Sequence, residues 1–235
     1  MTFTGFRPEA IQFLADLAMN NERAWFQPRK AEYERLLKEP LAALCSALAD
    51  RLAALRVPLA ADPVRSPFRI YRDTRFSRDK SPYKTHLGAD FPWVGDDGAE
   101  WGGHGVGGYF HLQPGSIYVG GGMWHPVGVR LAAWRRLVDG EPGRIHAAVE
   151  APAFRETFGR LTGDSLKRIP AGYAPDHPEA ELLKLKDVTF GRRLSDADAF
   201  SPELPDTVAH TLAAAVPLLR LLAELPAEEA SAQSG

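Results

Sequence analysis

The sequence predicts an α+β fold: a single domain with a small, mainly antiparallel sheet flanked by N-terminal and C-terminal helices. Three observations predict it. Apolar residues recur with a helical period over roughly the first sixty positions; between Pro67 and Trp124 aromatic and β-branched residues rise and glycines cluster; from Pro126 the helical period returns. The chain has 235 residues and no Pro/Gly/Ser linker long enough to separate independent parts, so one domain is expected over residues 1–225. The stretch 226–235, with Ala, Glu, Ser and Gln and no large apolar residue, is expected to be a disordered tail.

Each element has its own signal. After Pro8, the positions Ile11, Leu14 and Leu17 or Ala18 make a first helix, and Asn20-Asn21-Glu22 breaks it before Trp25, Tyr33, Leu36 and Leu37 start another. Leu41, Leu44, Cys45, Leu48, Leu52 and Leu55 share one helical stripe, and Pro40 suits its first turn. Cys45 inside that stripe reads as a small buried apolar residue. Phe68 and Ile70 alternate with Arg69 and Tyr71, which predicts a strand. Residues 95–108, rich in glycine and carrying Asp96, Asp97 and Glu100, predict a mobile polar loop. Tyr109-Phe110-His111-Leu112 and Ile117-Tyr118-Val119, joined by Gln113-Pro114-Gly115-Ser116, predict an antiparallel hairpin. Val127, Leu131, Trp134 and Val138 mark the next helix, and a shorter one follows near residues 145–149. Residues 166–190 read as loop and strand, and Val208, Leu212, Val216, Leu219 and Leu222 as a final helix that Pro217 should kink.

The formal net charge of −2 excludes a polycation that coats nucleic acid indiscriminately, so any such role must come from a local patch. A single cysteine excludes an internal disulfide and a multi-cysteine metal centre. The N-terminus lacks a basic start followed by an unbroken apolar run, and no segment reaches the ~18 apolar residues that span a bilayer. A soluble, cytoplasmic protein with no membrane partner is expected. None of the seven histidines stands at metal-ligand spacing, so neither a metal nor another cofactor is expected; the alternative is a meeting of His86, His111 and His125 in space. No G-x-S-x-G elbow is present, and His177 in Pro175-Asp176-His177-Pro178 reads as a turn residue.

The distinctive stretch is RSPFRIYRDTRFSRDKSPYK, residues 65–84, with seven cations and two anions, a local charge of +5 that leaves −7 for the remaining 215 residues. Such a block collects a phosphate or carboxylate, and the arginines offer planar forks to two oxygens at once. On an extended backbone Arg72 shares a face with Phe68 and Ile70, and a charge there must be paired or ligand-bound. Asp73 or Asp79 is the candidate partner, and Tyr83 adds a hydroxyl. Gly120-Gly121-Gly122 is explained first by close strand packing or a bulge; the competing reading is a turn between a strand and a helix N-terminus whose free N–H groups would hold an anion.

The run Arg69-x-x-Arg72-Asp73-x-Arg75-Phe76, followed by Asp79-Lys80 and Tyr83, resembles the signature of the bacterial and fungal proteins called the domain of unknown function 2461 family. The resemblance extends to Gly5-Phe6, Phe13-Leu14, Asn20-Asn21, Trp25-Phe26, the three glycines, and LKRIPAGYAPDHPEAELLKLK over residues 166–186. It implies a single-domain protein of about this length and no reaction. The first functional reading is therefore binding, with or without turnover, of an anionic small molecule such as a phosphate-bearing one. Arg69, Arg72, Arg75, Lys80, Lys84, Gly121 and Gly122 would bind it, and Asp73 and Tyr83 are the candidate catalytic groups. The rivals are a basic face for nucleic acid or an acidic protein, with Phe68, Tyr71, Phe76 and Tyr83 available for stacking, and a purely structural Arg/Asp network.

Overall fold

The computed structural model describes residues 2–75, 77–95 and 105–226. The elements run α1 (Pro8–Met19), α2 (Arg23–Phe26), α3 (Lys30–Tyr33), α4 (Glu39–Ala54), β1 (Leu87–Pro92), β2 (Val106–Gln113) and β3 (Ser116–Met123). They continue with α5 (Gly128–Gly140), α6 (Pro142–Val149), α7 (Pro152–Phe158), α8 (Ala180–Lys184), β4 (Val188–Leu194), α9 (Asp196–Phe200), α10 (Leu204–Ala213) and α11 (Val216–Ala223). The strands form one antiparallel sheet in the order β1-β2-β3-β4, so the fold is α+β as expected. The described chain divides into two compact units of interleaved segments.

The first unit comprises residues 1–91, 109–119 and 193–210. Proline positions explain its helical interruptions. Pro28 cannot donate to Ala24, and a tight 3-10 turn, Gln27–Arg29, stands there; Pro40 cannot donate to Leu36, and a wide π turn, Glu34–Lys38, precedes α4. The α4 stripe of Leu41, Leu44, Cys45, Leu48 and Leu52 is buried, and burial pushes the Cys45 thiol up to about 12. Period two divides the sheet. Leu87, Ala89, Phe91, Phe110, Leu112, Ile117 and Val119 are buried, and Phe110 stacks on Phe6 with ring centres 6.0 Å apart. The alternate positions, Asp90, Tyr109, His111, Gln113 and Tyr118, are polar or amphipathic and make the other face.

The second unit comprises residues 92–108, 120–192 and 211–235, described to 226. Trp134 on α5 is fully buried and its indole N–H donates to the Leu182 carbonyl at 3.1 Å. The α5 stripe is rotated from the expected one: Val127 precedes the helix and is exposed, while Arg130, Ala133 and Leu137 join Trp134 and Val138 inside. Arg130 gives its guanidinium to the Leu225 carbonyl at 3.1 Å, just past the C-terminus of α11, where helix carbonyls lack backbone partners.

Three expectations need correction. The C-terminal helix does not continue through Pro217 with a kink; it ends at Ala213, and Pro217 sits in the first turn of α11. Of the expected polar loop, residues 106–108 belong to β2 and 96–104 lie outside the described residues, as do 227–235 of the expected tail. Gly120-Gly121-Gly122 is not a turn before a helix N-terminus: all three residues are inside β3, which runs on to Met123. They serve close strand approach. A β-carbon on Gly120 would stand 2.3 Å from the Phe190 carbonyl oxygen, one on Gly121 2.3 Å from that of Gly107, and one on Gly122 2.1 Å from that of Val188.

Gly122 also has φ of +122°, so its alanine variant suffers both strain and overlap with backbone. Gly122→Ala is expected to cost at least about 3 kcal/mol in urea unfolding. Gly143→Ala, at an open position of α6, is expected to gain about 0.5 kcal/mol.

Candidate functional site

The basic stretch lies in the first unit. Residues 66–72 run antiparallel to 82–90 through isolated bridges, Pro67 with Ala89 and Tyr71 with Tyr83, and not through the expected strand. A step of four residues on one segment, from Pro67 to Tyr71, opposes a step of six on the other, from Tyr83 to Ala89, so the ladder is interrupted between the two bridges. The Phe68 N–H to the Gly88 carbonyl at 2.9 Å and the Asp90 N–H to the Ser66 carbonyl at 3.1 Å flank the first bridge; the Arg72 N–H to the Pro82 carbonyl at 2.9 Å and the Lys84 N–H to the Ile70 carbonyl at 2.7 Å flank the second. The family-like signature is thus the closed end of an irregular hairpin.

Within it the cations are taken up one at a time by neighbours. The Arg72 guanidinium reaches Asp79 at 2.5 Å and the Ser81 carbonyl at 3.3 Å. Arg75 clamps Asp73 with contacts of 2.7 to 3.2 Å, and Lys80 donates to the Thr74 carbonyl at 2.8 Å. Hydrogen bonds from Ser81 and then the Arg72 guanidinium hold the Asp79 carboxyl well below the usual range. Asp73 is drawn down to about 2, chiefly by its bonds from the Arg75 guanidinium. Arg69 and Arg78 are exposed and form no ion pair among the described residues; Phe76 lies outside them. Tyr83 does not join this lattice: its ring is 1% exposed, stacks on Phe26 with centres 4.1 Å apart, and its hydroxyl has no hydrogen-bond partner among the described residues.

A second constellation occupies the polar face of the sheet in the same unit. His86, just before β1, stacks on His111 of β2 with ring centres 4.8 Å apart, and His111 stacks in turn on Tyr118 of β3 at 4.7 Å. His111 Nδ1 lies 3.1 Å from the Tyr109 hydroxyl and Nε2 lies 3.1 Å from Gln113 Oε1. With Gln113 Oε1 accepting from Nε2–H, Nδ1 accepts the Tyr109 hydroxyl proton and the imidazole is neutral. Lys84 brings its ammonium over Phe68, 5.0 Å from the ring centre, and Phe68 leans on Tyr109 with centres 5.8 Å apart. Gly88 keeps this face open, because a β-carbon there would meet the Tyr109 hydroxyl at 2.7 Å.

Burial dominates the proton chemistry of that face. It pushes the His86 imidazole down to about 4, helped by His111 and Lys84, and pushes His111 and Lys84 down as well. It pushes Tyr109, Tyr118 and Asp90 up. Neutral imidazoles and neutral phenols therefore share this part of the unit with one ammonium, and such a concentration of shifted groups is a mark of functional sites. The spacing Tyr109-x-His111-x-Gln113 on a predicted strand places these three side chains on one face and was a readable signal. Of the three histidines in the alternative reading, His86 and His111 do meet in space. His125 is engaged with Asp187, and no three His, Cys, Asp or Glu residues among those described converge as a metal site.

His177 accepts from the Glu179 N–H at Nδ1 and pairs with Asp139 at 3.1 Å, in keeping with its reading as a turn residue. Among the described residues no single helix is long and apolar enough to cross a membrane.

A four-stranded antiparallel sheet with helices at both ends of the chain, carrying the Arg/Asp hairpin and a His–Tyr face, defines an α+β protein of a kind set by its signature loop. The family model described as "Conserved hypothetical protein (DUF2461)" matches residues 9–220, and the chain belongs to that family. No curated protein and no solved structure matches the chain.

Arg75 and Asp73 are both exposed and removing the guanidinium leaves only a solvated carboxylate, so Arg75→Ala is expected to leave the urea midpoint unchanged. Arg72→Ala is expected to cost about 1 kcal/mol, the net worth of a hydrogen bond from a partly buried guanidinium. A loss of several kcal/mol in both variants would mean that the hairpin is a cooperative ion-pair lattice.

The His86 shift predicts a pH window. Its pKa is near 6.5 when unfolded and about 4 when folded, so its contribution is complete above 6.5 and is lost as pH falls towards 4. His111 acts in the same sense, Asp90 in the opposite one, and Asp73 only at lower pH. His86→Gln is expected to flatten the fall of the urea midpoint between pH 6.5 and 4. An unchanged pH profile in that variant would contradict the neutral imidazole.

Proposed function

We propose that the protein binds an anionic small molecule on the His–Tyr face of the sheet, with Lys84 as the counter-charge. One observation carries this reading: Lys84 is partly buried, its pKa is lowered by burial, and among the described residues it has no carboxylate partner, whereas Arg72 and Arg75 each have one. A partly desolvated ammonium that the fold leaves unpaired attracts an oxyanion more strongly than one already neutralised. Tyr109 and Tyr118 supply phenolic hydroxyls, and His86 and His111 supply neutral rings that accept or donate without adding charge. The flat stacked array of Phe68, Tyr109, His111, Tyr118 and His86 favours an anion with a planar or aromatic portion. Arg69, exposed next to Phe68, is placed in sequence to extend the positive field. Asp73 is occupied by Arg75 and Tyr83 is buried, so neither supports a catalytic role in this reading.

Thermal melting at fixed ionic strength tests it, with chloride, phosphate, benzoate and phenyl phosphate as probes. A ligand at 100 times its Kd adds about 2.7 kcal/mol, or roughly 5 to 10 °C for a chain of this size. Phenyl phosphate is expected to give a shift of that order, abolished in Lys84→Met and preserved in Arg75→Ala. Equal shifts from every anion, or a shift that survives Lys84→Met, would remove the reading. A response confined to a single-stranded RNA oligonucleotide would favour the exposed Phe68, Tyr71 and Arg69 as a nucleic-acid face instead.

A further inference from the structure

The second unit contains a buried acid that the foregoing does not use. Asp187, immediately before β4, has a side chain 6% exposed. Its Oδ1 accepts the His125 backbone N–H at 2.7 Å, while Oδ2 accepts no hydrogen bond among the described residues. No lysine or arginine among them lies within ion-pair distance. The nearest basic group is His125 Nδ1, 3.8 Å from Oδ1, on an exposed imidazole. Burying a carboxylate with one hydrogen bond and no cation is unfavourable, so the position calls for a positive partner.

The backbone around it is also strained. His125 has φ of +47°, a left-handed conformation that costs a residue with a β-carbon, and the strain is what aims its N–H at Asp187. The same turn throws Trp124 outward: it is 72% exposed, with its ring centre 4.3 Å from that of His125. Trp124, His125, Gly163, Asp164, Asp187 and Thr189 line a concavity of about 460 Å³. Of its polar groups, Asp164 is paired with Lys186 at 3.3 Å and Thr189 with Thr162 at 3.0 Å, which leaves Asp187 as the uncommitted charge.

We infer that this concavity binds an organic cation, an alkylammonium or guanidinium group, with Asp187 Oδ2 as its counter-charge and the Trp124 indole face against its apolar or cationic flank. An exposed indole beside a desolvated carboxylate is the pairing that cations favour, combining ring attraction with a charge-assisted hydrogen bond. A metal ion would need more ligands than converge here among the described residues. A neutral sugar would use the indole but gives no reason for a buried carboxylate. The inference rests on residues separate from the His–Tyr face and stands or falls independently of it.

The test is a titration of the full chain with n-butylammonium chloride, following the Trp124 indole N–H by two-dimensional nuclear magnetic resonance and affinity by calorimetry, with sodium chloride matching ionic strength. Trp124→Phe assigns the indole signal. A saturable shift is expected, with n-butanol and glucose binding at least ten-fold more weakly, and Asp187→Asn and Trp124→Ala each weakening butylammonium at least ten-fold. Equal binding of butanol or glucose, a shift that never saturates, or full affinity in the variants overturns the inference. Because Asp187 is buried, its variant is read only if its circular dichroism matches the parent. Trp124 is exposed, so Trp124→Ala decides the matter on its own if Asp187→Asn does not fold.

Discussion

Two hydrogen bonds from one side chain, Asn21, hold the backbone of Tyr83 across 62 positions of chain: the amide nitrogen donates to the Tyr83 carbonyl at 3.0 Å and the amide oxygen accepts the Tyr83 N–H at 3.0 Å. Tyr83 is buried, so both backbone groups would otherwise be desolvated without partners. The clamp is local in its chemistry and wide in its effect. With Tyr83 held and its ring stacked on Phe26, the bridge to Tyr71 is registered, the Arg72 hairpin closes on one side, and Lys84 and His86 enter the sheet face on the other. A polar residue at the end of α1 thus sets where a signature sixty residues later can stand.

Much of the architecture was legible because it rests on period and on proline. The α4 stripe, the break at Asn20, the hairpin turned at Pro114-Gly115 and the α+β class all follow from spacing that tertiary contacts reinforce. The ambiguous positions share a cause as well. Pro217 reads as a fault within a helix and in fact begins one, and the three glycines fit either an anion-holding turn or close strand packing, of which the structure shows the packing that the sequence favours. In both cases one residue type serves two structures, and the choice is made by strands and helices remote in sequence, Val188 and Phe190 in the case of the glycines.

The candidate site was less legible for an electrostatic reason. Charge counted along residues 65–84 says that a field exists but not how much of it survives pairing. Asp73 and Asp79 lie close enough to absorb Arg75 and Arg72, so the densest part of the charged run is also the most fully neutralised. Arg69, Arg78 and Lys80 also lack a carboxylate partner among the described residues but are exposed; Lys84, at the edge of the run, is the partly buried one, next to aromatic and imidazole rings supplied by β2 and β3. Those rings carry no formal charge and stand as ordinary strand residues in the sequence. Only the pairing of β1 with β2 and of β2 with β3 brings them into one array.

The single cysteine adds a chemical property to the helical core. Cys45 is fully buried in the leucine stripe of α4, and its thiol stays protonated far above physiological pH. Thiol oxidation, disulfide exchange and soft-metal binding all need an accessible thiolate, so none of them finds a handle at Cys45 in the native fold. Thiol chemistry at Cys45 is therefore insulated from the redox poise around it and becomes available only when α4 leaves its seat, whereas the exposed thioether of Met19 stays open to peroxide.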